Sequence, residues 1–127
     1  MGEKTILVVD DDKGVRETIK KILGVFGGYS VVMASDGKEA IKKAYMEKPD
    51  LILLDISMPE MDGLKTLKIL KESVSTMRIP VIMLTGHGED IFKLSASQLY
   101  DEDYITKPVE ARELVDRIEK VFERGKA

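Results

Sequence analysis

The stretch Asp50-Leu51-Ile52-Leu53-Leu54-Asp55-Ile56-Ser57-Met58-Pro59-Glu60-Met61-Asp62-Gly63 carries four consecutive apolar residues directly after Asp50 and breaks onto a carboxylate at Asp55. A short, continuously apolar run between polar residues reads as a strand buried on both faces, the habit of a parallel sheet. Three more such runs occur: Ile6-Leu7-Val8-Val9, Val31-Val32-Met33-Ala34 and Val81-Ile82-Met83-Leu84. A shorter one is Tyr104-Ile105-Thr106. The segments between them have helical spacing. Val15, Ile19, Ile22, Leu23 and Phe26 fall on one face, as do Leu114, Ile118, Val121 and Phe122. Asp36 with Glu39 three residues later predicts an N-cap and its return partner before Ala40-Ile41. Leu64, Leu67 and Leu70 mark a helix after Asp62-Gly63, and the less regular segment from Glu89 to Leu99 is read as another. Five strands alternating with five helices predict a doubly wound α/β domain with right-handed crossovers and helices on both faces.

Composition agrees with one such domain and excludes several classes. The 127 residues leave no room for a second domain. A hydrophobic fraction of 43% is enough for a core and excludes disorder. The net charge of −3 is no basic footprint, so direct nucleic-acid binding is not expected. With no cysteine there is no disulfide scaffold, thiolate metal site or thiol nucleophile. No apolar run approaches a membrane span, and the N-terminus does not resemble a signal peptide. The expected location is therefore the cytoplasm. Asn is absent and Gln98 is the only glutamine, a bias in the thermophile direction that the seven methionines oppose.

In an open parallel sheet, ligands bind beyond the C-terminal strand ends. Asp10, Asp11 and Asp12 follow the first run, Asp55 the third, Thr85 the fourth, and Lys107-Pro108 the fifth. Ser35-Asp36 follows the second and is explained by the helix cap. Any single aspartate there reads as an ordinary loop or cap residue. The joint pattern does not. If the first and third strands are neighbours, Asp10, Asp11 and Asp55 converge, and packed carboxylates either raise their own pKa values or admit a cation. Hard oxygen ligands suit Mg²⁺. Lys107 at the same edge would neutralise a phosphoryl group, and Thr85 would offer it a hydroxyl. These are the parts that phosphoryl transfer requires.

Leu7-Val8-Val9-Asp10-Asp11-Asp12, the stretch from Asp50 to Gly63, Leu84-Thr85-Gly86 and Thr106-Lys107-Pro108 together resemble the receiver domain of two-component response regulators. The resemblance spans roughly Lys4 to Glu123 of a single domain taken as residues 1–127. It implies a CheY-like, flavodoxin-like sheet of order 2-1-3-4-5. It also implies a role for each matching residue. Asp55 is the phosphoacceptor. Asp11 ligates Mg²⁺ directly, Asp10 acts through water, and the Ser57 carbonyl is the third protein ligand. Lys107 pairs with the phosphoryl oxygens. Thr85 is the switch hydroxyl and Tyr104 the aromatic switch position, although a half-buried strand tyrosine is the simpler reading of Tyr104. The Lys107–Pro108 bond matches one that is often cis in the family. Ser57 and His87 match positions flanking the phosphoryl group that tune access of water.

The implied activity is that of a switch, not of an enzyme turning over an outside substrate. A sensor histidine kinase or phosphotransfer protein would supply the phosphoryl group. The domain would assist both its own labelling and its own hydrolysis. The labelled form would alter the face made by the fourth helix, fifth strand and fifth helix. The downstream partner is not named by the sequence. Lys93, Glu102, Asp103, Glu113 and Arg117 sit at spacings that resemble a dimer face of receivers attached to winged-helix regulators. Ordinary solvated charge and a phosphorylation-dependent homodimer both stay open. Two features depart from the family pattern. Leu99-Tyr100-Asp101 stands where a Gly-Ala pair is usual, which bears on the exit of the fourth helix. Asp12 makes a third carboxylate and reads as a loop residue rather than a ligand. A haloacid-dehalogenase-type enzyme would use Asp10-x-Asp12, but the chain lacks a cap region and Asp55 would go unexplained. In a flavodoxin, the first-loop aspartates would repel the flavin phosphate. A receiver that cannot be phosphorylated and acts as a scaffold is opposed by the full set of site residues.

Overall fold

The computed structural model describes residues 3–58, 62–86 and 103–125. Five parallel strands, β1 (Thr5–Val9), β2 (Ser30–Ala34), β3 (Leu51–Asp55), β4 (Val81–Thr85) and β5 (Asp103–Thr106), form one sheet in the order β2-β1-β3-β4-β5. Four α-helices lie among the described residues: α1 (Lys13–Ile22), α2 (Gly37–Glu47), α3 (Gly63–Glu72) and α4 (Ala111–Arg124). The helix expected from Glu89 to Leu99 lies outside the described residues, so the last of the five expected helices is α4.

The continuous apolar runs are explained by cover on both faces. Every residue of β3 and β4 is buried. Alternate side chains feed two cores. Leu7, Ile52, Leu54 and Met83 meet Ala40 and Ala44 of α2 and Leu67 and Leu70 of α3 on one side. Ile6, Val8, Leu53 and Leu84 meet Ile19 of α1 and Leu114 and Ile118 of α4 on the other. Helices thus cover both faces of the sheet, as the alternation of elements predicts.

Three of the helix starts are set by side-chain caps. Asp12 accepts from the amides of Gly14 and Val15 and begins α1. Asp36 accepts from Glu39 N and begins α2. The Glu39 carboxylate returns to Ser35, at 2.6 Å from its amide, one residue before the cap itself. Asp62 caps α3 through Lys65 N.

One expectation fails at the end of α1. Phe26, placed by spacing on the buried face, is 67% exposed. The helix changes at Leu23 into a π-helical turn through Gly27, closed by Gly28 N donating to Leu23 O. The wider i→i+5 turn rotates the residues after Leu23 out of the apolar stripe. Gly28 then takes a left-handed conformation at φ 68°, where glycine carries no Cβ penalty.

Candidate functional site

The sheet register assembles the site. Val9 pairs with Leu54, so the next residues on β1 and β3, Asp10 and Asp55, emerge side by side. Carboxylate oxygens of Asp10, Asp11 and Asp55 lie within 4.8 Å of one another. Asp10 is fully buried and Asp55 is 3% exposed, while Asp11 is exposed. Asp12 is occupied as the cap of α1 and stands apart from the cluster, as a loop residue would. The aspartates expected to converge do so, across the central strand pair of the sheet.

Lys107 comes from the loop after β5 and crosses to the cluster. Its Nζ lies 2.8 Å from Asp10 Oδ2 and 3.4 Å from Asp55 Oδ1. Its amide donates to the carbonyl of Thr85 at 2.7 Å, so β4 and β5 deliver Thr85 and Lys107 to the same edge. The Lys107–Pro108 bond is cis. Ser57 follows β3, and its amide donates to Asp55 Oδ1 at 3.1 Å.

One ammonium faces two buried carboxylates, and the electrostatics record the shortfall. Burial pushes the Asp55 carboxyl up, and the neighbouring Asp10 adds to this. Lys107 and the Ser57 amide offset only part, leaving Asp55 at about 6 against an ordinary 3.8. Burial pulls Lys107 down, but its contacts with Asp10 and Asp55 outweigh this and hold it above its ordinary value. Two buried oxygens, Asp10 Oδ2 and Thr85 Oγ1, have no hydrogen-bond partner among the described residues. Asp10 Oδ2 has only its ion pair with Lys107.

These features fit a divalent cation next to a phosphoryl group. Mg²⁺ takes oxygen ligands at about 2.1 Å, which sets them roughly 3–4 Å apart, and the three carboxylates, with oxygens within 4.8 Å of one another, can reach such a set. A cation there would offset the burial and the neighbouring Asp10 charge that raise Asp55. The buried hydroxyl of Thr85, without a partner among the described residues, would offer a donor to a phosphoryl oxygen.

Two residues support this edge from behind. Gly63, the first residue of α3, lies so close to β3 that a Cβ would overlap the Asp55 carbonyl oxygen and approach Ile56 Cα to 2.6 Å. Only glycine permits that approach, which explains why the Asp62-Gly63 pair ends the deciding stretch. Arg16 on α1 donates from Nη1 to the Asp10 carbonyl at 2.7 Å. The motif reading passed over Arg16. Its one sequence signal is a cation in the early turns of a helix, at the unfavourable end of the dipole.

Beside Lys107, an open and mainly apolar groove of about 400 Å³ runs between α1 and the loop after β5, lined by Val15, Ile19, Pro108 and Val109 among others. Tyr104 lies on β5 opposite Met83 and is 39% exposed, a half-open strand residue. Asp103 pairs with Arg117 at 2.7 Å, and Arg117 also donates to the Tyr104 carbonyl. His87, Lys93, Glu102, the Leu99-Tyr100-Asp101 departure and Pro59-Glu60-Met61 lie outside the described residues. Among the described residues no helix is long and apolar enough to cross a membrane.

The family model described as "Response regulator receiver domain" matches residues 6–119. The chain is 40% identical over 122 residues to the alkaline phosphatase synthesis transcriptional regulatory protein PhoP of Bacillus subtilis, covering 96% of this chain and 50% of that protein. It is 41% identical over 124 residues to the phosphate regulon transcriptional regulatory protein PhoB of Pseudomonas aeruginosa, covering 98% and 54%. The chain thus spans about half the length of these curated relatives. Among solved structures, it is similar to a response regulator receiver domain protein from Clostridium thermocellum, with a TM-score of 0.86, 30% identity and 97% of both chains covered. It is also similar to a putative response regulator from Chloroflexus aurantiacus, with a TM-score of 0.85, 35% identity, and 94% of this chain and 98% of that one covered.

Proposed function

The chain belongs to the response regulator receiver domain family, and from that premise we propose that it is a phospho-accepting switch whose acceptor is Asp55. The observation that carries this reading is the buried Asp55 carboxylate beside Asp10, with Lys107 reaching both, at the C-terminal edge of the sheet.

A sensor histidine kinase or phosphotransfer protein presents a phosphohistidine. An Asp55 carboxylate oxygen attacks the phosphorus in line. The new bond is P–O, the broken bond is P–N, and the imidazole leaves with its electron pair. Lys107 and the Thr85 hydroxyl bind phosphoryl oxygens. Asp11, Asp55 and the Ser57 carbonyl would hold Mg²⁺, with Asp10 contributing through water. When bound, Mg²⁺ supplies charge neutralisation at the phosphoryl oxygens. Attack of water on the acyl phosphate returns Asp55 to a carboxylate and ends the signal. The domain therefore assists its own modification and reversal and turns over no outside substrate.

The groove beside Lys107 supports the approach of a donor along α1. The added charge, roughly 1.5 to 2 negative, biases a two-state element that includes Thr85, Tyr104 and the face around β5 and α4. The names of the relatives support a transcriptional output, carried by an effector segment or a partner rather than by nucleic-acid contact of this acidic domain. The cytoplasm is the compartment in which such a relay would meet its donor. Asp103 and Arg117 belong to the face proposed for a phosphorylation-dependent homodimer. Sedimentation with and without beryllofluoride tests that face, and an unchanged monomer removes it.

Incubation with acetyl phosphate and Mg²⁺, followed by intact mass and site mapping, tests the central reading. One phosphoryl group on Asp55, dependent on Mg²⁺, is expected. No adduct on the folded protein, or an adduct elsewhere, overturns it.

A further inference from the structure

The hydrogen bond from Arg16 Nη1 to the Asp10 carbonyl, 2.7 Å long and partly buried, has no role in the phosphoryl chemistry described above. Helix stability does not explain it. Arg16 sits four residues after the cap of α1, where a cation faces the positive end of the helix dipole. It has no carboxylate partner among the described residues.

The carbonyl it holds belongs to the peptide link that leads into Asp11. The rest of that loop is tied on both sides. Asp10 N donates to Ala34 O, Asp12 N donates to Asp10 Oδ1 at 2.9 Å, and the Asp12 carboxylate caps α1. Asp11 is the exception. Its side chain is exposed and makes no hydrogen bond or ion pair among the described residues. With no side-chain partner among the described residues to hold it, the Asp11 carboxylate depends on its backbone for its starting position, and Arg16 holds the carbonyl of the peptide plane from which that residue departs.

We propose that Arg16 is a positioning residue for the divalent cation, holding the Asp10–Asp11 peptide so that the exposed Asp11 carboxylate stays with the buried pair as the third arm of the site. The inference rests on the receiver reading above and deepens it. It also has a sign of its own. As a mere positive charge near an acidic cluster, Arg16 repels a cation, and its removal strengthens Mg²⁺ binding. As a positioning residue, its removal weakens binding, as loss of an outer-shell partner does.

Calorimetric titration of Mg²⁺ into wild type, Arg16→Met and Arg16→Lys separates the two, with thermal melts as the control for folding. Arg16→Met is expected to bind on the order of tenfold more weakly. Arg16→Lys, which keeps the charge and a donor, recovers part of that loss. At saturating Mg²⁺ the Met variant is still labelled on Asp55. Binding by Arg16→Met that equals or exceeds wild type overturns the inference. If Arg16→Met does not melt cooperatively, Arg16→Gln takes its place with the same expected direction. Wild type that binds no Mg²⁺ and takes no phosphoryl group defeats the phospho-accepting reading itself. Normal wild type beside an unaltered variant defeats the role of Arg16 alone.

Discussion

Lys107 Nζ stands 2.8 Å from Asp10 Oδ2, nearer than its 3.4 Å approach to Asp55. The lysine lies closer to Asp10 than to Asp55, and with burial first and the Asp10 charge second pushing it up, the Asp55 carboxyl is held at about 6.

That value gives stability a direction with pH. The folded-state pKa lies above the ordinary 3.8, so the folded protein holds this proton more tightly than the unfolded chain does. The contribution of Asp55 to stability is complete below about 3.8 and is lost as pH rises to about 6. The distance corresponds to about 3 kcal/mol. Asp55→Asn removes this cost. In Mg²⁺-free buffer it should be more stable than wild type at pH 7, with the gap closing toward pH 4, while phosphoryl labelling is abolished. Paired urea melts from pH 4 to pH 7.5 measure the gap. A gap independent of pH contradicts the assignment.

Removing Lys107 leaves both buried carboxylates without their cation. Lys107→Met should cost about 2 kcal/mol at pH 7, since the ammonium is only partly buried. Added Mg²⁺ should then stabilise the variant more than it stabilises wild type, because the ion takes over the missing charge. Melting temperatures with and without Mg²⁺ provide the comparison.

Thr85→Val replaces a buried hydroxyl that has no partner among the described residues with a methyl of similar volume. Because no hydrogen bond is lost, the unmodified protein should keep its stability or gain up to about 1 kcal/mol. Labelling of Asp55 should persist, while the chemical-shift changes that follow beryllofluoride should shrink around β5. A large loss of stability would show that the hydroxyl is already bonded.

Gly63→Ala drives a methyl into the Asp55–Ile56 backbone. Overpacking against main chain should cost about 1–3 kcal/mol and slow labelling by displacing the acceptor. Asp12→Ala makes the contrasting case. It removes only a helix cap, about 1 kcal/mol, and should leave Mg²⁺ affinity close to wild type. Chemical denaturation and Mg²⁺ titration of both variants distinguish the two effects.

The parts of this fold that are legible in sequence are those where one physical constraint acts alone. Burial on both faces writes β3 and β4 as unbroken apolar runs, and the first residues beyond β1 and within the end of β3 are the carboxylates of the site. The end of α1 was not legible, because periodicity assumes a constant helical pitch and the π-turn at Leu23–Gly27 changes it. The target of Glu39 was misplaced by one residue for a similar reason, since a long side chain reaches past the cap to Ser35. Arg16 was missed because its partner is a carbonyl, and a carbonyl leaves no mark in the side-chain pattern.

The bond between the Lys107 amide and the Thr85 carbonyl rivets the ends of two neighbouring strands. The hydroxyl and the ammonium at that edge are thus two teeth of one jaw. If a group is attached at Asp55, movement of either strand end toward it is coupled to the other through this main-chain bond. Because β5 is an edge strand of the sheet, a modification at Asp55 would then reach the border of the molecule through main chain as well as through side chains.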